Sequence, residues 1–430
     1  MSVRDPRRSQ QRSPRRSITR GVAAVGLVLA AATAASPAPD GITLGPRLEL
    51  KHQAKGHEAH LSGAALAVAS DGVPIIAWGA QEGPINHLYV ARMSGEPAPV
   101  RVSSPDLTVE ALHHPPRLAV APSGLVYLSW SSVKPRPEGT LFASDLRLSR
   151  SQDSGKTFTG HLRVNEDRPI SHSFDGLAVA SDGTVLVSWL DSRAGGANAG
   201  TYLARVADQG ARVDGVGQVG EDTCVCCRVD MATGPGDAVA ILWRKVFPGD
   251  VRDMVLSTSR DGGRAFATPA LVRDDGWKIA ACPHRGGAVG IDGRGRIYAS
   301  WYTEGKGKQA RPDLYFATSE DGRRFGAPRR LHTSATSIPD HARMAVDREG
   351  RAVIVWEDST AVRRRILLRY TTDGGRTLSP IHTLSTAIKA WEPDIAVGRD
   401  GSFMVAWHEE QFPSVKTVVQ AVRLTPARAK

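Results

Sequence analysis

Seven tryptophans recur along this chain at nearly even spacing. Trp78, Trp130, Trp189, Trp243, Trp301, Trp356 and Trp407 each close the same kind of segment, such as LAVASDGVPIIAW or MAVDREGRAVIVW. The gaps between them are 52, 59, 54, 58, 55 and 51 residues. Such a period constrains the fold more than composition does, because each repeat is one supersecondary unit that buries its faces only against its neighbours. Within a segment, two short runs rich in β-branched and apolar residues flank Asp-Gly, Ser-Gly or Glu-Gly, the pattern of a tight hairpin. A third run follows, as in DLYFATS, ILLRYTT or DMVLSTS, and then a fourth such as HLRVN or ALVRD. Four strands per repeat predict an all-β chain: a single β-propeller of four-stranded blades. Seven blades are expected, or six if one repeat is not a separate blade.

The last repeat runs out after its third strand, VVQAVRL, while an orphan run, RLELKH (Arg47–His52), precedes the first. That run is expected to supply the missing outer strand of the last blade, closing the ring and removing two exposed edges. Between third and fourth strands stands a recurrent phrase. It reads SQDSGKTF from Ser151, SRDGGRAF from Ser259, TTDGGRTL from Thr371 and, one residue shorter, SEDGRRF from Ser319. Asp153, Asp261, Asp321 and Asp373 suit acceptors for backbone N–H groups inside a turn, and Gly155 takes positive φ at no steric cost. Their expected role is structural.

The S-x-D-x-G-x-x-F pattern is the Asp-box, and its return on successive repeats resembles the sialidase (neuraminidase) superfamily over essentially all of the chain past its N-terminal segment. The box is specific for the fold and says little about catalysis, since it also occurs in propellers that hydrolyse nothing. The resemblance implies an exo-α-sialidase-like glycoside hydrolase acting on carboxylate-bearing glycans such as sialosides. It also implies a Tyr nucleophile, a Glu that helps ionise it and an Asp acid/base. Tyr302 with Glu304, in WYTEG, and Asp175 or Asp191 are the candidates. The family's Arg-Ile-Pro motif is absent; PPRLAV around Arg117 comes nearest. A second class stays open: a non-catalytic propeller that binds a glycan, a protein or a soft metal through the same face.

Aligning the inner strands on Val68, Val120, Val179, Met231, Val289, Val346 and Val397 places Arg117, Arg228 and Arg343 three residues before the anchor, with Arg285 one residue off that register. Three guanidinium forks at one channel mouth would form a carboxylate clamp, and sialidases grip their sugar's carboxylate with an arginine triad. The competing reading pairs these cations with Asp175, Asp230 or Asp394. His60, His113, His114, His172, His284 and His341 also fall near inner-strand starts. All four cysteines belong to two adjacent repeats, Cys224, Cys226 and Cys227 in DTCVCCR and Cys282 in ACPHRGG. In an exported chain they read first as disulfides. The adjacency of Cys226 and Cys227 makes that awkward, and the rival is a copper(I) or zinc site with His284 as a further ligand.

Residues 1–34 read as an export signal: Arg-rich sequence, the apolar stretch GVAAVGLVLAAA, and a small-x-small cleavage site at Ala32-Thr33-Ala34. Arg15-Arg16 before Ser17-Ile18 resembles a twin-arginine signal. A periplasmic or secreted location follows as the expectation. Residues 35–45 then form a linker, 46–424 the propeller and 425–430 a tail. The formal charge of +11 includes +6 from the first 34 residues. What remains is too mild to suggest a nucleic-acid partner. No later stretch is apolar enough to span a membrane. A monomer is expected.

Overall fold

The computed structural model describes residues 41–52, 61–135, 138, 142–195, 197–307 and 310–425. The export signal, His60, residues 35–40 of the linker and all of the tail but Thr425 lie outside the described residues. Among those described there is no α-helix. The strands form five four-stranded antiparallel sheets and one eight-stranded sheet. That last sheet is two four-stranded meanders, Ser173–Thr223 and Asp230–Leu271, joined through the single pair Thr223–Lys245.

The inner strands are Ala65–Val68, Arg117–Val120, Ser173–Val179, Asp230–Thr233, Ala288–Ile291, Ile338–Val346 and Ala390–Val397. Each packs against the next, and Ala390–Val397 packs back against Ala65–Val68. We number the four-stranded units one to seven in that order. The period is set by the tryptophans: all seven sit on second strands and are at most 2% exposed. Each lies in an apolar cluster between two adjacent sheets, where flat faces are held apart by large side chains. One cluster, with Leu50, Leu66, Ile76, Trp78, Ala406 and Val419, joins the last sheet to the first.

The first described strand pairs antiparallel with the last, Ser414–Leu424, so the two share one sheet. It runs Ile42–His52 and thus begins inside the segment expected as linker. Gly45-Pro46 reads as a strand breaker, but the strand crosses it through a bulge between Leu44 and Arg47. Ile42 is 3% exposed in the cluster between units six and seven, and that burial draws in the extra residues.

The recurrent phrase folds as one turn each time. Asp153 Oδ1 accepts from Lys156 N (3.0 Å) and Thr157 N (2.9 Å), while Ser151 Oγ donates to Asp153 (2.7 Å) and accepts from Gly155 N (2.8 Å). Asp261 and Asp373 repeat the pattern, and Asp321 does so with one residue fewer. Gly155 has φ +86°, and a Cβ there would stand 2.6 Å from Ile75 of the neighbouring unit. Phe158 packs into the cluster between units one and two.

Candidate functional site at the axial mouth

The starts of the inner strands converge on one mouth. Its cavity of about 100 Å³ is lined by Arg117, Arg228 and Arg343 together with His113, His284, His341, Phe174, Glu392 and Asp394. The three arginines expected as a clamp therefore meet. Two are already partnered: Arg117 Nη2 lies 3.7 Å from Asp230 Oδ1, and Arg343 Nε lies 3.6 Å from Asp394 Oδ1. Asp394 occupies in unit seven the register that Arg343 holds in unit six. Arg228 differs. It is 8% exposed, donates to the Pro115 carbonyl (3.1 Å), and has no carboxylate within ion-pair distance among the described residues. Burial, and then the guanidiniums of Arg117 and Arg343, lower its proton affinity well below the ordinary value. A guanidinium keeps its proton regardless, so the repulsion stays in the site.

A second ring of residues lies two places further from the anchor; His284 and His341 in it were expected near the inner-strand starts, whereas Phe174 and Glu392 were not. Five places before it stand Gly63, Pro115, Phe174, Cys226, His284, His341 and Glu392. Four of these are non-glycine residues in the left-handed region: Phe174 (φ +58°), His284 (+53°), His341 (+48°) and Glu392 (+49°). In units three, six and seven this conformation coincides with a bulge in the inner strand. Each such residue costs on the order of 1–3 kcal/mol and tends to mark a functional site. Here the conformation aims four side chains at the cavity. Extending the same alignment by two residues adds Phe174 and Glu392 to the two histidines.

The histidines of the mouth differ in charge. Burial alone would lower His341, but its hydrogen bond to Glu357 Oε2 (3.3 Å) and the carboxylates of Asp340 and Glu392 outweigh that and raise it to about 9. His113 goes the other way: burial, with His114 and His284 beside it, lowers it to about 4. Its ring stands 4.1 Å from that of His114 and 5.5 Å from that of His284. Glu392 is raised by burial, and its Oε2 is buried without a hydrogen-bond partner.

The other expected site residues do not line the mouth, although the Asp175 carbonyl accepts from Arg117 Nε at 3.3 Å. Tyr302 is 2% exposed, packs on Trp277 and lies under Arg285, whose Cζ is 4.2 Å from the ring centre. Burial and the bond from its hydroxyl to Glu304 (2.7 Å) hold the phenol protonated, opposite to what a nucleophile needs. Arg285 is spent on Asp340 at 2.8 Å. Glu304 lines a separate lateral cleft of about 660 Å³, not the mouth. Asp175 is buried and accepts from Ser129 Oγ, while Asp191 pairs with Arg193. His172 is fully buried against Ser144. Larger clefts of about 600 to 660 Å³ exist, and some of their cations pair locally, as in Arg296–Glu320 and Arg330–Asp313 at 2.6 Å. What sets the smaller mouth apart is that its unpaired cation, Arg228, is buried.

Beside the mouth, the cysteines are free thiols, so the disulfides expected from the sequence are not the arrangement seen. Cys224 Sγ stands 3.1 Å from Cys227 Sγ and 3.8 Å from Cys226 Sγ, well beyond the roughly 2.05 Å of a bond. Cys282 of unit five reaches the same place: the ligand atoms of Cys226, Cys282 and His284 lie within 4.8 Å of one another. Gly286 permits this approach, because a Cβ there would meet the Arg228 carbonyl at 2.4 Å.

The fold and this mouth define an all-β protein of the propeller class with a cation-rich, partly uncompensated axial site. No protein-family model and no curated protein matches the chain. Solved structures match its fold. A protein of unknown function from Dyadobacter fermentans DSM 18053 superposes with a TM-score of 0.52 at 13% identity, covering 89% of this chain and 100% of that one. The polysaccharide lyase Uly1 gives 0.55 at 10% identity over 83% and 89%. An ulvan lyase bound to -[GlcA(1-4)Rha3S]- gives 0.53 at 11% identity over 83% and 94%. At these identities the likeness is one of fold.

Proposed function

We propose that the chain, exported by its first 34 residues, forms a closed seven-bladed propeller of the Asp-box type that binds and processes carboxylate-bearing glycans at the axial mouth. The observation that carries this reading is Arg228: a buried guanidinium with no ion-paired carboxylate among the described residues, flanked by two more, in a cavity open to ligand. An unpaired buried cation is costly, and an incoming carboxylate relieves that cost with a bidentate fork. A cavity of about 100 Å³ suits the carboxyl end of a sugar, with the rest of the glycan lying across the rim. The ulvan lyase of the same fold holds a ligand written with GlcA, a uronic acid, and the Asp-box turns keep sialosides in the same frame. Protonated His341 adds to the charge that meets the carboxylate, while neutral His113 is available as a base. Histidines driven apart in this way suit acid–base chemistry. The seven-bladed ring rests on the seven inter-sheet clusters and on the pairing of the two chain ends.

The test is calorimetry of the full chain with oligoglucuronan and sialyl-lactose, each beside its carboxyl-reduced counterpart, followed by product analysis. Binding only of the acidic forms is expected, weakened about tenfold or more in Arg343→Lys, since a point charge cannot replace a fork. Equal binding of the reduced sugars, or none of either kind, would sink the proposal. Binding without turnover would make the protein a glycan-binding module.

A further inference from the structure

The geometry points to a soft-metal site next to the mouth: we propose that Cys226, Cys282 and His284 bind one copper(I) ion. This site is separate from the arginines that carry the glycan reading, and shares with the mouth only His284. Their two sulfurs and a ring nitrogen lie within 4.8 Å of one another, although they come from two different units. Cys224 backs them, its sulfur 3.8 Å from that of Cys226. Sulfurs around one three-coordinate ion, each at about 2.3 Å, stand about 4 Å apart, so ligand atoms already within 4.8 Å need little closing. Small motions of exposed Cys282 and His284 complete the set without disturbing the buried triplet.

Three features support the ligand role. Arg252 Nη1 donates to Cys224 Sγ at 3.2 Å, so the sulfur that backs the ligand set 3.8 Å behind Cys226 is itself held in place. His284 is held at φ +53°, a conformation that costs energy and turns its ring toward the cysteines and His113. Gly286 keeps units four and five close enough for the ligands to meet.

The charge of the surroundings selects the ion. Soft thiolate ligands accept either copper(I) or zinc. Arg228, Arg244 and Arg252 are neighbours of the cluster, and like-charge repulsion grows with the charge of the ion. A monovalent ion meets half the penalty of a divalent one. Copper(I) is also content with three soft ligands. On binding, the Cys226 and Cys282 thiols release their protons to solvent as two copper–sulfur bonds form. The imidazole nitrogen donates its lone pair, and no electron is transferred. Because two ligands are exposed, the ion exchanges with solution, as in a site that carries metal and not one that holds a fold together.

The experiment titrates the full chain, reduced under argon, with copper(I) in the presence of a chromophoric copper(I) chelator. One ion per chain should be retained, with sulfur and nitrogen in its X-ray absorption shell. Substitutions at buried Cys224, Cys226 and Cys227 risk the fold, so the exposed residues carry the test. Cys282→Ser and His284→Ala should each weaken copper affinity by roughly tenfold or more while the melting curve of the metal-free protein stays put. Unchanged affinity in both variants would overturn the proposal. So would tighter binding of zinc than of copper(I), or a Cys226–Cys282 disulfide recovered from the protein as isolated.

Discussion

His341 is crowded by three carboxylates, yet 39% of its side chain stays accessible. Its folded pKa of about 9 lies above the ordinary 6.5. The linked stabilisation is therefore complete below the lower value and fades as pH climbs through the higher one. Solvent contact keeps that share under about 1 kcal/mol. The larger effect falls on the ligand: affinity for an acidic glycan should drop about two- to fivefold as the ring loses its charge near pH 9. In His341→Gln the drop should vanish, and a drop that persists would assign it to another group. At this scale the sequence was only half legible. Repeat alignment located Arg117, Arg228 and Arg343, but residue types do not say which cation lacks a partner. Nor do Phe174, His341 and Glu392 look like residues that adopt positive φ. Their conformation comes from bulges in the inner strands, which no local pattern announces.

The turns between third and fourth strands were the most legible elements, because their bonds lie within eight residues of chain. Asp153 is lowered to about 2: burial acts to raise it and is outweighed by bonds from Thr157, Ser151 and Lys156. The stabilisation it gives is thus present at neutral pH and lost as pH falls through that value. Asp153→Ala should cost about 1 kcal/mol, read as a lower melting temperature with glycan affinity unchanged. Loss of binding at an unchanged melting temperature would make the turn part of the site. Gly155→Ala should cost more, since positive φ and the contact with Ile75 both resist a Cβ. The Cys226–Cys282 approach was legible only as proximity of two repeats. What sets it is Gly286 against a backbone carbonyl, a contact between units that a single chain of letters does not display.

Across the whole molecule, the tryptophan period and the orphan N-terminal run carried the fold, and the run's true length did not show because Gly45-Pro46 masked it. Removing Ile42–His52 should strip Val418, Val422 and Leu424 of their cover and lower the melting temperature by ~10 °C or more. An unchanged melting curve would mean that the strand is dispensable. Leu50→Ala alone should cost about 2–5 kcal/mol, since Leu50 sits in the cluster that joins the last sheet to the first. That strand also has a history in time. His52 shares a hydrogen bond with Thr417, 365 residues further on. Closing so long a loop from an unstructured chain costs about 5 kcal/mol in entropy, a cost that shrinks once the intervening sheets have already brought the ends together. A ribosome finishes the partner strand last, on the order of tens of seconds after the first has emerged. Through that interval the sheet edges that these two strands will cover stay open to any other strand nearby. The first of the described strands is the last to find its partner.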